Sequence, residues 1–389
     1  MNWLLYIHLS LMMFLQFAIW GAWSPVLAAR LLGPLKMTGR QTGWIYGTIP
    51  LACIISPLIA GQIADRWIAT QWLLAAAHLT GGILLFVAAR KKTFGSLFAV
   101  MGLYSLCYAS TLPLVNSLMF SNLTDATAQS PRIFIWAPIA WVLVGWLLTA
   151  WRRIKGSGDG SDCLILGGIV SLLMGFFCFF LPHTPPPGSS EVPIVKALSM
   201  LTEANFLTFI LISFIVSAQL QFYFLGTAQF LQDIGVHSKN VPAVMAIAQA
   251  AQAIATWYAL GYLLEKTGFR WTLAIGVLCW LGIYLAYAAM RPRWFVIGSQ
   301  ALHGLAYVFF IIGGQIFVNN MAEEDIVSSA QALLFVVTIG FGFFLGTQFT
   351  GIVMDRLRKD GKFQWRLIFL LPCVLTFVCA IVLVTLFRG

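Results

Sequence analysis

The sequence predicts an all-α membrane protein with twelve transmembrane helices in two pseudo-symmetric six-helix bundles. Its composition is the first reason: 60% of the 389 residues are hydrophobic and only 9% are charged, against about 25% charged residues in soluble chains. The second is the recurrence of apolar runs about 20 residues long, the length that a helix needs to cross a bilayer. A soluble fold is excluded, because so apolar a chain lacks the polar surface to face water.

Charged residues and Gly/Pro-rich breaks separate the apolar runs from one another. The runs cover approximately 4–29, 42–64, 70–89, 95–120, 133–151, 163–181, 204–232, 241–264, 271–290, 294–319, 326–354 and 366–387. The first run lacks a basic leader and a small-residue cleavage site, so it is predicted to be a retained span rather than a signal peptide. Nearly the whole chain is therefore predicted to lie in the membrane.

The longest polar connection lies near the middle of the chain and divides it into halves. It runs from Pro182 to Glu203 and contains three consecutive prolines at 185–187, which cannot continue a helix. Six runs precede it and six follow it. We therefore predict an N-terminal bundle at 1–181, a linker at 182–203 and a C-terminal bundle at 204–389, a duplication typical of secondary transporters.

A short pattern, Gly-x-x-x-acid-base, closes both the second run and the eighth, its counterpart in the other half. The glycine allows close approach of a neighbouring helix, and an ion pair would hold the helix end when one side of the protein is closed. An ordinary helix end with a surface ion pair is the structural alternative. We predict that these residues form a conformational gate: Gly61, Asp65, Arg66, Gly261, Glu265 and Lys266.

The polar residues inside the runs are uncharged. All 13 acidic residues fall between the runs or at their ends, and an ionised group at the bilayer centre would cost about 2.5–3.5 kcal/mol. A carboxylate proton relay in the middle of the membrane is therefore not predicted. The remaining amides and histidines suit a neutral polar ligand, although such side chains also form hydrogen bonds between membrane helices.

Several stretches of the chain resemble the bacterial nucleoside–proton symporters of the major facilitator superfamily. The resemblance is carried by residues 14–23, 64–67, 85–89, 111–116 and 340–342, with His78. The chain departs from this family where Gln252 and Val308 stand at acidic positions, Phe134 at a basic one and Phe224 at an asparagine. The resemblance implies the major facilitator fold, in which spans 1, 4, 7 and 10 line a central cavity.

Polar and aromatic residues at helical spacing fall on spans 1 and 10, which the resemblance places around that cavity, and on span 8, which carries nucleoside-binding groups in the family. Gln16 and Trp20 share a face of the first run, Gln249 and Gln252 a face of the eighth, and His303 and Tyr307 a face of the tenth. Gln221 and Gln249 also match polar positions that bind nucleoside in the family. The predicted substrate-binding residues are Gln16, Trp20, Asn116, Trp141, Gln221, Gln249, Gln252, His303 and Tyr307.

The resemblance implies a secondary transporter that moves a small neutral polar solute, a nucleoside above all, by alternating access, and it leaves proton coupling open. An exporter of an amphipathic compound is the alternative within this class; a membrane-embedded enzyme or a receptor is the alternative outside it. We predict no catalytic residue, metal site, cofactor or nucleic-acid partner. The expected partners are the solute and the lipid bilayer, with the chain as a monomer.

Loop charges and family resemblance disagree on which side of the inner membrane the termini lie. The resemblance implies cytoplasmic termini. The odd-numbered loops carry 17 of the 23 Lys and Arg residues, and cytoplasmic loops are the ones usually rich in these residues. Charge alone would therefore place the termini outside. The prediction keeps the family orientation.

Overall fold

The structure, a computed structural model, describes residues 2–32, 34–37, 39–155, 159–187, 193–236, 241–360 and 362–388. Its contacts divide the chain into two compact units. The first comprises Met1–Leu198 with Ala322–Val336, and the second comprises Ser199–Met321 with Val337–Gly389. The segment 322–336 thus groups with the first unit by its contacts, and the predicted division into 1–181, 182–203 and 204–389 stays a prediction.

The helices of the first unit follow its apolar runs and are numbered in chain order. They are α1 (Trp3–Trp23), α2 (Leu27–Leu32), α3 (Gly39–Tyr46), α4 (Thr48–Arg66), α5 (Thr70–Arg90), α6 (Phe94–Ser121), α7 (Ala126–Gln129), α8 (Pro131–Phe134), α9 (Trp136–Lys155), α10 (Asp162–Phe177), α11 (Pro193–Ser199) and α18 (Val327–Phe335). Short 3-10 turns extend α10 over Cys178–Phe180 and precede α18 over Glu324–Ile326. The first run breaks between α1 and α2 at Pro25, since proline cannot donate the next backbone hydrogen bond.

The second unit is also helical apart from one small hairpin. Its helices are α12 (Ala204–Asp233), α13 (Val241–Tyr258), α14 (Leu260–Ala289), α15 (Arg293–Gly298), α16 (Gln300–Ala306), α17 (Gly313–Met321), α19 (Phe343–Arg356) and α20 (Trp365–Thr385), and a 3-10 turn at Met200–Thr202 precedes α12. The strands β1 (Arg358–Lys359) and β2 (Lys362–Phe363) pair antiparallel. The hairpin joins α19 to α20.

Eleven segments of the described residues are long and apolar enough to cross a membrane. The predicted eighth span is not one of them, because Gln249 and Gln252 lower the apolarity of α13 and the helix is interrupted at Ala259. The helix resumes as α14, which has a sharp break at Gly268, where φ is 71°. Residues 260–267 thus continue the eighth span and the rest of α14 is the ninth. All twelve predicted runs are mainly helical over their described residues, with short breaks such as those at Pro25 and Ala259.

The first unit packs around a buried aromatic core. Its longest helices lie in pairs: α5 contacts α10 and α6, α1 contacts α9 and α10, and α4 contacts α6. Trp23 of α1 donates a 3.2 Å hydrogen bond from Nε1 to the hydroxyl of Tyr104 on α6, and both side chains are fully buried. Large apolar side chains such as Ile55 and Ile83 are exposed instead, as expected of helix faces that meet lipid.

The second unit contains two stretches of π-helix. In this unit α14 packs against α20 and α16, while α12 packs against α19 and α20. One π-helical turn, Tyr307–Ile312, joins α16 to α17, and another, Val336–Gly342, leads into α19. A π-helical turn accommodates one extra residue and is frequent at functional sites. The first begins with the predicted binding residue Tyr307, and the second ends about one and a half turns before Thr347.

Candidate functional site

Gln16 lies in α1, fully buried, where α1 contacts α6. Its amide nitrogen Nε2 donates a 2.8 Å hydrogen bond to Oγ1 of Thr111, and the Tyr108 hydroxyl donates to its backbone oxygen at 2.8 Å. The amide oxygen Oε1 is buried and has no partner among the described residues. Because a buried polar atom without a partner costs about 1–3 kcal/mol, Oε1 is suited to accept a hydrogen bond from a ligand.

Aromatic rings surround the next turn of α1. The ring of Trp20 meets those of Tyr108 and Trp141 edge to face, with centroids 6.2 Å and 5.9 Å away. Trp20 and Trp141 are only partly buried. These rings therefore offer flat apolar surface one helical turn from Gln16, as the helical spacing predicted.

Asn116 is buried near the end of α6. Its Nδ2 atom has no hydrogen-bond partner within the described part of the chain. The following residue, Ser117, ties α6 to α18 through a 2.5 Å hydrogen bond between its hydroxyl and that of Ser328. An unpaired donor thus lies beside the contact between these two helices.

In the second unit, Gln221 of α12 has an arrangement complementary to that of Gln16. Oγ1 of Thr347 on α19 donates a 3.2 Å hydrogen bond to Oε1 of Gln221. The amide nitrogen Nε2 is buried, and the described residues give it no partner. The free atom here is a donor, whereas the free atom of Gln16 is an acceptor.

His303 of α16 lies among aromatic side chains. Its ring stacks on that of Tyr223, with centroids 3.7 Å apart and planes within 7°. Nε1 of Trp280 donates to Nδ1 of His303 at 3.3 Å. Behind this stack, the Tyr223 hydroxyl donates to Oε1 of Gln300 at 3.0 Å, and Nε2 of Gln300 donates to the hydroxyl of Tyr287 at 2.5 Å. This network fixes Tyr223 and through it the plane of the imidazole.

The other predicted binding residues of this unit are less constrained. Gln252 is buried, while Gln249 and Tyr307 are partly exposed. Helices α13 and α16 approach each other closely beside them. This approach requires a glycine at position 304, since a Cβ atom there would collide with the backbone of Ala248 and Gln252. Within the described residues, no side-chain hydrogen bond joins Gln249, Gln252 or Tyr307 to His303. The structure brings their helices together without linking these side chains.

The first copy of the Gly-x-x-x-acid-base pattern closes α4 and contacts α18. Asp65 is 2% exposed, and its two carboxylate oxygens accept hydrogen bonds from the backbone N–H groups of Ser328 (3.3 Å) and Ser329 (2.9 Å). Donors in the first turn of a helix lack partners within that helix, and a negative charge there complements the helix dipole. Gly61 allows this approach, since a Cβ atom on it would lie 3.0 Å from the Ser328 carbonyl oxygen.

The second copy has different surroundings. Glu265 and Lys266 are not buried against a helix end in this way: both are exposed, while Gly261 is partly buried. The ion pair expected within the first copy is also not found among the described ion pairs, because Arg66 is exposed while Asp65 faces backbone N–H groups. The two copies are alike in sequence, and only the first caps a helix in the described structure.

Sequence reasoning missed the partners that orient these residues. Thr111 was part of a stretch that carried the family resemblance, but it was not singled out. Tyr223 and Trp280 lie in apolar runs, where nothing in the sequence separates them from aromatic residues that face lipid. Gln219, an amide inside an apolar run, is a further buried residue whose side-chain nitrogen and oxygen both lack partners in the described structure, although it is not among the predicted binding residues.

Comparison with known proteins decides the family. A model of the family described as "Nucleoside H+ symporter" matches residues 3–389 of the chain. The chain belongs to the nucleoside H+ symporter family. The predicted resemblance and the predicted all-α membrane fold are thereby confirmed.

Relatives of this nucleoside H+ symporter family member cover nearly its whole length. The putative nucleoside transporter YegT of Escherichia coli (strain K12) is 30% identical, over 98% of this chain and 93% of YegT. The crystal structure of the nucleoside transporter NupG, at 25% identity, aligns over 100% of both chains with a TM-score of 0.71. The proton:xylose symporter XylE of the major facilitator superfamily has a TM-score of 0.73 at 12% identity, over 100% of this chain and 97% of XylE, and shows the shared fold alone.

Proposed function

We propose that the chain is a secondary transporter that carries a nucleoside across the inner membrane by alternating access. The observation that carries this proposal is the pair of buried, unpaired amide atoms, Oε1 of Gln16 in the first unit and Nε2 of Gln221 in the second. One is an acceptor and the other a donor, and a nucleoside carries hydroxyl donors as well as base and ribose acceptors. The descriptions of YegT as a putative nucleoside transporter and of NupG as a nucleoside transporter support the substrate class.

The proposed substrate-binding residues combine amides with aromatic rings. Amide groups select hydrogen-bonding atoms, and flat rings such as Trp20 and Trp141 pack against a planar base. The full set remains Gln16, Trp20, Asn116, Trp141, Gln221, Gln249, Gln252, His303 and Tyr307. The chemistry of this set favours an uncharged ligand, because none of its members is a carboxylate, lysine or arginine.

Coupling to protons is the finer part of the proposal, and the family description supports it. Two carboxylates are buried among the described residues, Asp65 and Asp162. Asp162 is held by Arg152 through hydrogen bonds of 2.6 Å and 2.8 Å. Asp65 accepts from backbone N–H groups and has no ion-pair partner in the described part of the chain. A proton added to Asp65 would weaken the cap on α18, so we place the proton-sensitive step there.

The gate is proposed to consist of Gly61, Asp65 and Arg66 at one helix exit and Gly261, Glu265 and Lys266 at the other. Contact of Asp65 with the first turn of α18 supports a role for the first copy. The accessible carboxylate of Glu265 is compatible with a role for the second copy in another state of the cycle.

Uptake of labelled uridine into proteoliposomes tests this function. We expect uptake above that of protein-free liposomes, competition by unlabelled nucleosides, and greater accumulation when the lumen is made alkaline relative to the outside. Absence of binding and of uptake for every nucleoside would overturn the substrate class. Uridine uptake that ignores the imposed pH gradient would overturn proton coupling and leave nucleoside transport standing.

The uncharged aromatic surroundings of Gln16 also favour a second candidate, export of an amphipathic compound. The same proteoliposomes distinguish the two, since an exporter would move an amphipathic dye that nucleosides do not displace. We propose no catalytic role for the chain, because the family to which it belongs is one of transporters.

The protein is a multi-pass membrane protein, and we propose that it lies in the inner membrane as a monomer with cytoplasmic termini. Two cations of the odd-numbered loops are paired with acids, Arg30 with Asp159 at 3.4 Å and Arg152 with Asp162 at 2.6 Å, which reduces the charge that opposes this orientation. The substitution Ser189→Cys, outside the described residues, tests it. Labelling by an impermeant maleimide in intact cells is not expected for a linker on the cytoplasmic side, and such labelling would reverse the orientation.

A further inference from the structure

The hydrogen bond between Trp280 and His303 determines where the imidazole carries its hydrogen. The two nitrogen atoms, Nε1 of Trp280 and Nδ1 of His303, lie 3.3 Å apart. An indole N–H can only donate a hydrogen bond. Nδ1 must therefore be the acceptor and carry no hydrogen, so the neutral ring carries its hydrogen on Nε2.

The groups packed around His303 do not favour a positive charge on it. Helices α13, α14 and α15 and the π-helical turn contact α16, and Tyr223 of α12 covers one face of the ring. The polar and titratable side chains that neighbour Tyr223, Trp280 and His303 in sequence on these elements are uncharged at neutral pH: Gln221 and Tyr223 of α12, Gln252 of α13, Cys279, Trp280, Tyr284 and Tyr287 of α14, Gln300 of α16 and Tyr307 of the π-helical turn.

The charged residues of the same elements lie farther away along their helices. Each is at least ten positions from Tyr223, Trp280 or His303, which is about 15 Å of helix: Asp233 of α12, Glu265, Lys266 and Arg270 of α14, and Arg293 of α15. Within the described residues, no Asp or Glu forms a hydrogen bond or ion pair with the His303 ring. A charged imidazole would therefore have no counter-ion among its described contacts.

The second nitrogen of the ring is available to a ligand. The described residues provide no hydrogen-bond partner for Nε2 of His303, and the side chain is 4% exposed. Stacking on Tyr223 with planes within 7° holds the ring in one plane. Because Trp280 occupies Nδ1, the ring presents one kind of hydrogen-bonding group, an N–H donor.

We propose that His303 acts in transport as a neutral hydrogen-bond donor through Nε2–H, and that Trp280 is the positioning residue that keeps it in this tautomer. The inference rests on the proposed function for its ligand, since the acceptors it would meet are the ribose oxygens or the base carbonyl oxygens of a nucleoside. If His303 stays neutral, the proton that drives transport must bind to another group. A hydrogen added to Nδ1 would face the indole N–H, so charging the ring would break the hydrogen bond to Trp280.

Nitrogen NMR of the full chain in lipid nanodiscs tests the tautomer directly. The chain has 5 histidines, and with ¹⁵N-labelled histidine the His303 signals are those lost in His303→Gln. We expect a protonated Nε2 and an unprotonated Nδ1 throughout pH 5.5–8. In Trp280→Phe, which keeps an aromatic ring and removes the N–H, we expect mixed tautomers or titration near pH 6.5, the ordinary range of histidine. A doubly protonated His303 in the unaltered protein within this range would overturn the proposal.

Uridine binding tests the donor role. Loss of one hydrogen bond, worth about 0.5–1.5 kcal/mol, predicts a Kd about 2- to 13-fold higher for His303→Leu. His303→Gln restores an N–H donor and is expected to recover most of the affinity. Equal losses for Leu and Gln would overturn the donor role. The ratio of the Kd of His303→Leu to that of the unaltered protein is expected to be constant over pH 5.5–8. The ratio of the Kd of Trp280→Phe to that of the unaltered protein is expected to change with pH, because in this variant the fraction of rings with a hydrogen on Nε2 depends on the titration of the imidazole.

Uridine analogues that lack one oxygen identify the atom that accepts the hydrogen bond from His303. Together with the NMR spectrum, they distinguish failure of the proposed nucleoside transport from failure of the proposed role of Trp280. If a ribose oxygen accepts the bond, 2′-deoxyuridine or 3′-deoxyuridine will bind equally to the unaltered protein and to His303→Leu. If the base carbonyl oxygen at C4 accepts the bond, 4-thiouridine will bind equally to the unaltered protein and to His303→Leu. If no nucleoside binds the unaltered protein, the proposed function fails, while the NMR spectrum still decides whether Trp280 fixes the tautomer.

Discussion

Asp65 caps the first turn of α18, with Oδ2 accepting a 2.9 Å hydrogen bond from the backbone N–H of Ser329. The carboxylate is charged and buried, and the helix end supplies unpaired donors and a partial positive charge. The Asp65 carboxylate and the N–H groups of the helix end compensate each other, so removal of either leaves a buried polar group without a partner. Within the first unit, this contact joins the end of α4 to the start of α18.

Substitution of Asp65 separates the cap from the charge. Asp65→Ala removes both and is expected to cost about 0.5–2 kcal/mol of stability, the range for losing a helix cap. Asp65→Asn keeps a capping oxygen, so we expect it to retain more thermal stability than the alanine variant but to lose accumulation driven by a pH gradient. Melting temperature and uridine uptake measure the two effects. An Asp65→Asn variant that still accumulates uridine under a pH gradient would contradict the assignment.

Gly61 is expected to tolerate no side chain. A Cβ atom there would lie 3.0 Å from the Ser328 carbonyl oxygen and 3.1 Å from the Ser329 Cα, and backbone atoms cannot move aside as a flexible side chain can. Gly61→Val should therefore lower stability by about 1–3 kcal/mol, as overpacking does, and slow uptake. Gly102→Val in α6, where no atom lies within 4 Å of the added Cβ, is the matched control. Similar melting temperatures for both variants would disprove the close contact.

Gln16 and Thr111 share one hydrogen bond, so their substitutions should not be additive. Gln16→Leu and Thr111→Val each break the bond, and we expect a coupling of about 0.5–1.5 kcal/mol in the double-mutant cycle. Uridine affinity should fall more in Gln16→Leu, because only that change also removes the free Oε1. Calorimetric unfolding and equilibrium binding report the two quantities. An equal affinity loss in both single variants would mean that Oε1 does not contact the ligand.

Lys196 of α11 bonds to both carboxylate oxygens of Asp325, at 2.9 Å and 2.8 Å, and to Glu323 at 2.8 Å. These hydrogen bonds raise the pKa of Lys196, Asp325 contributing most. A raised lysine pKa gives stability that is complete below the unfolded value of about 10.4 and is lost only as pH rises through the folded one.

The stability difference between the unaltered protein and Lys196→Met should therefore be constant from pH 6 to 9. It should shrink at high salt, because all three charges are accessible to solvent and are therefore screened by salt. Lys196→Arg keeps the charge and serves as the control. A difference that disappears below pH 9 at low salt would show that the lysine is not the group responsible.

The spans were predictable because apolar composition is a local property, and each run of about 20 residues predicts its own helix. The contact of Asp65 with the start of α18 was not predictable, since Ser329 lies 264 positions away. Nothing in the local sequence marks this serine as part of a capped helix start. The pattern repeated at Gly261 looked equivalent for the same reason. Whether such a pattern meets a helix end depends on packing between distant segments.

The roles of individual amides were only partly predictable. An amide in an apolar run can bond to a neighbouring helix or to a ligand, and Gln16 does the first with Nε2 while leaving Oε1 free. One side chain thus combines both alternatives that the sequence left open. His303 was predicted at the site, but its partner Trp280 lies 23 positions earlier on another helix, beyond the reach of helical spacing.

The π-helical turn at Val336–Gly342 sets the direction in which the side chains of the following helix, α19, point. Its extra residue advances the downstream helix by about 100° relative to an uninterrupted α-helix. Thr347, in the helix that follows, reaches Gln221 in that phase. Deleting one residue from the turn would keep the span's apolarity and nearly its length, yet rotate Thr347 away from α12. Single-residue insertions and deletions in this turn would thus change the direction of the side chains of α19 without changing which residues they are.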